Sequence, residues 1–393
     1  MPMTRLAKLA LLDELEFIAF HKTKSHLRVE AKKVSKFEVC PKCATPSSSA
    51  YDSRWVRLKD APIRGKRVVL VVKKRRFQCK KCRKPFTEPI SGVTKGHKAT
   101  ARYKKHVFWA CEHFTDLKSV RKHVGGSYSS LYRIYYDELS RKAKERSYPW
   151  PRTLGIDEHK FKKCPKYGYP IYATNIVDHK NKKVFDLVEG RTTPELKNAL
   201  KDIPGRQNVN IVSMDLSVTY RKFVQEFFPN AKIVADKFHV LRLLHPAINR
   251  NRINITGDKR KNPARKLLLK NGKDLDFWAR SAIWKFLDRY PVLKEIYYFK
   301  EALHIFYRTK GYNRARKSLK KLLDKMGRSK VKEIISLRRT LMAWKEEILN
   351  YFITRHTNGR VEGFNRKAKL INRRGYGYRS FKNYRLRVLN ACV

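Results

Sequence analysis

Two groups of residues in this chain have the types and spacing for metal chemistry. Cys40-Pro-Lys-Cys43 and Cys79-Lys-Lys-Cys82 are C-x-x-C pairs separated by 35 residues. Each pair brings two thiolates to one ion from a tight knuckle, and two knuckles complete a closed tetrahedral zinc site. Neighbouring Lys and Arg favour the thiolate form. Four unrelated buried thiols would not account for the paired spacing. Cys111, Cys164 and Cys392 stand alone and are expected to be small buried apolar residues.

The second group is acidic. Asp157 closes the short apolar run Thr153–Ile156, and Asp215 follows the buried run Val209–Met214. Glu362 is the single acid between Arg360 and Arg387, a stretch with ten Lys and Arg. Three carboxylates brought together would repel one another unless cations neutralise them. Two magnesium ions roughly 3.5–4 Å apart do so, and they activate water or a 3′-hydroxyl for in-line attack on a phosphodiester. Each acid also has a plainer account. A strand-ending Asp often forms a turn or a cap. Glu362 can pair with Arg366 one helical turn on. Neither account explains why all three fall where one fold could superpose them.

The elements that must position these groups follow from the hydrophobic periods. Residues 1–92 are expected to be a zinc-binding β module, with the strand Arg67–Val72 between the knuckles. Residues 93–150 are expected to form a helix to about Val124, a Gly125-Gly126 turn, and a second helix capped by Ser127 with Leu131, Ile134, Tyr135 and Leu139 inward. That outline fits a helix-turn-helix, which would put Ser129, Ser130, Tyr132 and Arg133 on DNA, or equally a plain helical hairpin. Tyr148-Pro-Trp-Pro151 is expected to be a stiff boundary. From Thr153 the order β-β-β-α-β-α-β is expected over residues 151–240, a meander followed by units that imply parallel pairing. Residues 241–350 are almost wholly helical in pattern. Residues 351–393 hold a last basic helix, with Asn358 as its cap, Val361, Phe364, Ala368 and Ile371 on one flank, and Glu362, Asn365, Arg366, Lys369 and Arg373 on the other. In open sheets, sites gather at the carboxyl ends of the strands, where that helix would bring Glu362.

Composition narrows the partner. Lys and Arg number 92 against 34 acids, a formal charge of +58 spread along the whole length, so nucleic acid is the expected partner. With 42% apolar and 12% aromatic residues the chain is not a disordered basic tail. No apolar stretch approaches the ~18 residues that span a bilayer. The N-terminus mixes acids into its apolar run and makes a poor signal peptide. Together with the C-x-x-C pairs, this points to a reducing, cytoplasmic setting.

These motifs resemble the ISL-three family of bacterial insertion-sequence transposases over nearly the whole chain. The resemblance rests on the two C-x-x-C pairs with Arg75-Arg76-Phe77, on Leu154-Gly155-Ile156-Asp157-Glu158, on Ser213-Met214-Asp215 with Tyr220, on Ala235-Asp236-Lys237-Phe238-His239, and on Thr357 to Asn365. It implies a zinc finger and a helix-turn-helix ahead of an RNase H-like mixed-sheet core with an all-α insertion, so a multidomain α/β chain. It implies an Asp-Asp-Glu triad at Asp157, Asp215 and Glu362 holding Mg2+ or Mn2+, zinc on Cys40, Cys43, Cys79 and Cys82, and Asp236 with His239 in support. His239 as a core or helix-start histidine is the plainer alternative, and Asp236 competes with Asp215 as second acid. Glu158 points to the opposite face if the strand continues and stays outside the triad. Arg366, Lys369, Arg373 and Arg374 are expected to hold double-stranded DNA, both the terminal inverted repeats and the target. A nucleoid-associated homo-oligomer on DNA is expected. A non-catalytic DNA-binding regulator derived from a transposase, and a nuclease without strand transfer, remain the competing functions.

Overall fold

A computed structural model describes residues 14–24, 26–94, 98–145, 148–257 and 263–392. Residues 1–13, most of the run weighed as a signal peptide, lie outside the described residues. The chain forms two compact units, Met1–Lys142 and Ala143–Val393.

The first unit begins with a sheet in the order β1 (Leu15–Lys22), β2 (His26–Lys33), β6 (Lys66–Gln78), β5 (Ala50–Ile63), with β7 (Pro85–Thr87) added to β6. Leu27, Val29 and Ala31 alternate inward along β2 and meet Leu58, Val68, Leu70 and Val72, the two-residue period of a sheet with one buried face. The short pair β3 (Glu38–Val39) and β4 (Pro46–Ser47) flanks the first knuckle. Three helices follow: α1 (Ala101–His113), α2 (Leu117–Val124) and α3 (Tyr128–Lys144). The single helix expected before the glycine turn is therefore two. Asp116 divides them because its carboxylate accepts the Ser119 N–H at 2.8 Å and caps α2. Gly125 and Gly126 make the turn with φ of 75° and 97°, and the Ser127 hydroxyl accepts the Ser130 N–H at 3.3 Å. Leu131, Tyr135 and Leu139 are buried, on the flank expected to face inward. Asp60, buried on β5, accepts Thr100 at 2.6 Å and pairs with Arg102, tying α1 to the sheet.

The second unit is built on a five-stranded mixed sheet in the order β10 (Lys183–Glu189), β9 (Pro170–Asp178), β8 (Thr153–Lys163), β11 (Ile211–Met214), β12 (Lys232–Ala235). The first three pair antiparallel and the last two join β8 in parallel. The crossovers are α4 (Thr193–Leu200) and α5 (Val218–Phe227), so the expected order of elements holds. Trp150, flanked by two prolines, is buried against Phe185, Phe227 and Phe228 and belongs to this core.

After β12 come α6 (Lys237–Leu241), α7 (His245–Thr256), α8 (Pro263–Leu269), α9 (Phe277–Asp288), α10 (Pro291–Phe306), α11 (Tyr312–Gly327), α12 (Lys332–Ala343) and α13 (Lys345–Thr354), with no strand among the described residues. Their apolar faces are continuous with one face of the sheet, in a single core that runs from Leu154 and Val212 to Leu349 and Phe352. The other face is covered by α14 (Gly359–Arg374) and α15 (Phe381–Ala391), through Val361, Ala368, Tyr384 and Val388 against Phe161, Val177 and Leu187. Gly155 permits the close approach, since a Cβ there would lie 2.4 Å from Val361.

Candidate active site

Strand register builds the site. Ile156 pairs with Met214, and Met214 with Ala235, so the next residues of three parallel strands are Asp157, Asp215 and Asp236. Adjacent strands lie about 4.8 Å apart, so the three aspartates form a row along one end of the sheet. The sequence pattern puts Asp157 at the end of its strand, and the structure does not. β8 continues to Lys163 against β9, and only its pairing with β11 stops at Ile156. The exposed edge of β8 beyond that point leaves room for Asp157 and Glu158 beside Asp215.

Asp157, Glu158 and Asp215 each offer a carboxylate oxygen within 4.8 Å of the others. Burial, together with the Glu158 charge, pushes Asp157 up to about 6. Burial and then the charges of Glu158 and Asp157 push Asp215 up to about 7. Asp215 Oδ1 and Glu158 Oε2 are buried and have no hydrogen-bond partner among the described residues. Crowded carboxylates with orphaned oxygens are the donor set that a hard divalent cation satisfies.

Asp236 sits differently. Its Oδ1 accepts the Asn358 N–H at 2.9 Å, and its Oδ2 accepts both the His239 N–H at 3.2 Å and His239 Nδ1 at 2.9 Å. Burial opposes its ionisation, but those hydrogen bonds outweigh burial and hold it below the usual carboxylate range. The Asp236 hydrogen bond in turn raises His239. Asp236, His239 and Glu362 form a second group with ligand atoms within 4.8 Å of one another. The two groups adjoin, because Asp215 and Asp236 follow the paired residues Met214 and Ala235 on neighbouring strands.

Glu362 rises from the first turn of α14. It meets Arg242 at 3.4 Å, not Arg366 as the helical spacing suggests. Asn358 stands at the cap position without capping. Its amide donates to Ile156 O at 3.0 Å and its Oδ1 accepts Ser213 Oγ at 2.9 Å, which seats the start of α14 on β8 and β11. Asn365, assigned from periodicity to the cationic flank, is buried instead. It donates to Asp157 Oδ2 at 2.9 Å and contacts His159 at 3.1 Å and Asn175 at 3.2 Å. Burial holds His159 down to about 4, so its ring joins this network in the neutral form.

In the first unit, Cys40 and Cys82 lie 3.7 Å apart and Cys43 and Cys79 3.4 Å apart, sulfur to sulfur. A tetrahedron with Zn–S of 2.3 Å has edges of about 3.8 Å, so the four thiols fit one zinc. The Thr45 hydroxyl draws Cys43 down to about 6.

Residues 154–388 match the family model of the ISL3-type DDE transposase. The chain belongs to the ISL3 family of DDE transposases. Residues 36–82 of the transposase match the zinc finger of the IS204/IS1001/IS1096/IS1165 transposases, so the cysteine cluster is a structural zinc site. The chain is also similar to the transposase for insertion sequence element IS1001 from Bordetella parapertussis, 24% identical over 380 residues that cover 92% of this chain and 90% of the relative. A DNA-processing enzyme needs a cationic surface, and Arg366, Lys369, Arg373 and Arg374 of the transposase are all exposed on α14. Ser129, Tyr132 and Arg133 are exposed on α3, and Ser130 is half-buried. No helix among the described residues is long and apolar enough to cross a membrane.

Two members of the centre are not legible as such from local spacing. Asn365 was assigned to the wrong flank because a helical wheel does not say how far a helix tilts onto its sheet. Glu158 does point to the opposite face, where Arg191 meets it at 3.6 Å, but its carboxylate still reaches the acids around the open edge of β8. The adjacent pair Asp157-Glu158 was the available signal.

Proposed function

We propose that this transposase binds the terminal inverted repeats of its element, cleaves the element's ends by phosphodiester hydrolysis and joins the freed 3′ ends to target DNA. Asp157, Asp215 and Glu362 are the catalytic acids, and Glu158 extends their ligand set. The observation that carries this reading is the crowded trio Asp157, Glu158 and Asp215, with two orphaned oxygens, at the carboxyl end of the parallel strands. The carboxylates would hold Mg2+ or Mn2+, whose chemistry when bound is to activate the attacking water or 3′-hydroxyl and offset charge on the phosphate.

The chain's own residues prepare that site. Asn365 fixes the rotamer of Asp157. Asp236 is occupied by Asn358 and His239, so it serves as a positioning residue rather than the second acid. It holds His239 by Nδ1 and leaves Nε2 as the ring's remaining nitrogen. Arg242 offsets the Glu362 charge in the metal-free protein. Arg366, Lys369, Arg373 and Arg374 hold the DNA backbone, which makes affinity fall steeply with salt. Residues 93–150 act as a helix-turn-helix, with Ser129, Ser130, Tyr132 and Arg133 at the DNA, behind a zinc module in residues 1–92. Residues 151–240 and 351–393 form an RNase H-like core around the helical insertion 241–350. The protein acts as a homo-oligomer assembled on DNA.

The test is a strand-transfer assay with Mg2+, using the inverted repeats that bracket the gene. Joined products support the reading. Cleavage without joining would reduce it to a nuclease, and binding without cleavage to a regulator.

A further inference from the structure

Beyond Glu362, α14 ends in a loop whose construction is not explained by the carboxylates. Tyr376 is 95% exposed and adopts φ of 52°, in the left-handed region that bulky side chains avoid. The loop is rigid. Gly375, Tyr376 and Gly377 donate their N–H groups back to Ile371, Arg373 and Asn372 at 3.0, 3.0 and 2.9 Å. The Asn372 side chain donates to Phe161 O on β8 at 2.7 Å and accepts the Tyr378 N–H at 3.2 Å. Tyr378 packs at a tilt against the buried Tyr384, and a Cβ on Gly375 would lie 2.6 Å from the Tyr378 ring. One tyrosine is thus packed inward against the turn, while Tyr376 is left in solvent. Those bonds are the C-cap that closes α14, so the fold accounts for the backbone of Tyr376, and what it leaves without a structural role is the exposed ring.

The surroundings identify the partner. Arg373, Arg374 and Arg379, within three residues of Tyr376 in the chain, are exposed. Glu362 and Arg374 are separated by twelve helical steps, or about 18 Å along the axis. A DNA strand following the cations of α14 away from the acids would reach the loop roughly five nucleotides on. An exposed aromatic ring at the end of a cationic helix suits a nucleobase face, and base faces are available only where the duplex is open.

We propose that Tyr376 is a stacking platform for an unpaired or unstacked nucleobase of the DNA held along α14. The proposal rests on the reading of α14 as the DNA-facing helix of the transposase, and its test is independent of cleavage.

The probe is a forked duplex with 2-aminopurine in its unpaired branch, bound to the full-length protein without added divalent metal. Wild type should quench the 2-aminopurine. Tyr376→Ala should abolish the quench and weaken forked-probe binding about tenfold, with little change on the fully paired duplex. Tyr376→Phe should retain both. Unchanged quenching in Tyr376→Ala overturns the proposal, as does equal loss on forked and paired DNA. If Phe fails as Ala does, the hydroxyl is the contact and stacking is wrong. Melting temperatures confirm that an exposed side chain was removed without unfolding. Should Glu362→Gln cleave normally while Tyr376→Ala loses the quench, the catalytic assignment fails and the stacking site stands.

Discussion

The cysteine cluster and the carboxylate centre, the first a zinc site and the second proposed to hold a divalent cation, gather their side chains in opposite ways. The four thiols come from two knuckles with little apolar support beyond Phe77 and Phe86. There the ion substitutes for a core, and its binding energy is folding energy. The acids are held by a large sheet packed on both faces, by Asn358 under the start of α14 and by Asn365 against Asp157. There the core holds like charges together, and a bound ion would relieve a repulsion the fold already contains. Removing a thiol should therefore cost structure, whereas removing an acid should cost activity and spare structure.

The largest effect tests the acidic half of that contrast. Glu362→Gln, Asp215→Asn and Asp157→Asn should each lower cleavage and joining roughly a thousandfold or more, with DNA affinity equal or higher and melting temperature unchanged or raised. A gel-based excision assay beside calorimetry checks both. If Asp236→Asn is the lethal change and Asp215→Asn is not, the second acid has been misassigned.

Cys40→Ser should take zinc from one per chain to none and make the knuckle region protease-sensitive, while the second unit melts as before. Elemental analysis with limited proteolysis measures this. A variant that keeps its zinc removes Cys40 from the site.

Glu158→Gln should raise the Mg2+ concentration needed for half-maximal cleavage about tenfold, in line with other outer ligands. Arg191→Ala, which removes the partner but not the carboxylate, should not. A magnesium titration of both variants separates a ligand from an ion-pair partner.

Smaller still is a pH effect on stability in metal-free protein. Asp157 and Asp215 have folded values of about 6 and about 7 against an ordinary 3.8. The folded state therefore binds more protons than the unfolded state across that window, and stability falls as pH rises from about 4 to about 7. Asp215→Asn should gain melting temperature over wild type at pH 8 and little at pH 4, and added Mg2+ should close the gap. A constant difference across pH would mean that the acids do not strain the fold.

The chain's order of elements was legible because each strand and helix carries its own hydrophobic period, and the zinc site because C-x-x-C is a local geometry. Asp157, Asp215 and Glu362 were legible as candidates since each follows a buried run or interrupts a cationic one. What sequence could not supply was register. Only the pairing of Ile156, Met214 and Ala235 sets three aspartates in one row, and only the early end of β11 opens the edge around which Glu158 reaches. Asn358 and Asn365 look like a cap and a surface amide by their spacing. They become a seat and a clamp because a buried amide must find partners, and those partners lie more than 140 residues away in the chain. Local period and local chelation are written in short windows of sequence. The partner of a buried polar group is decided by which distant strands end at the same height.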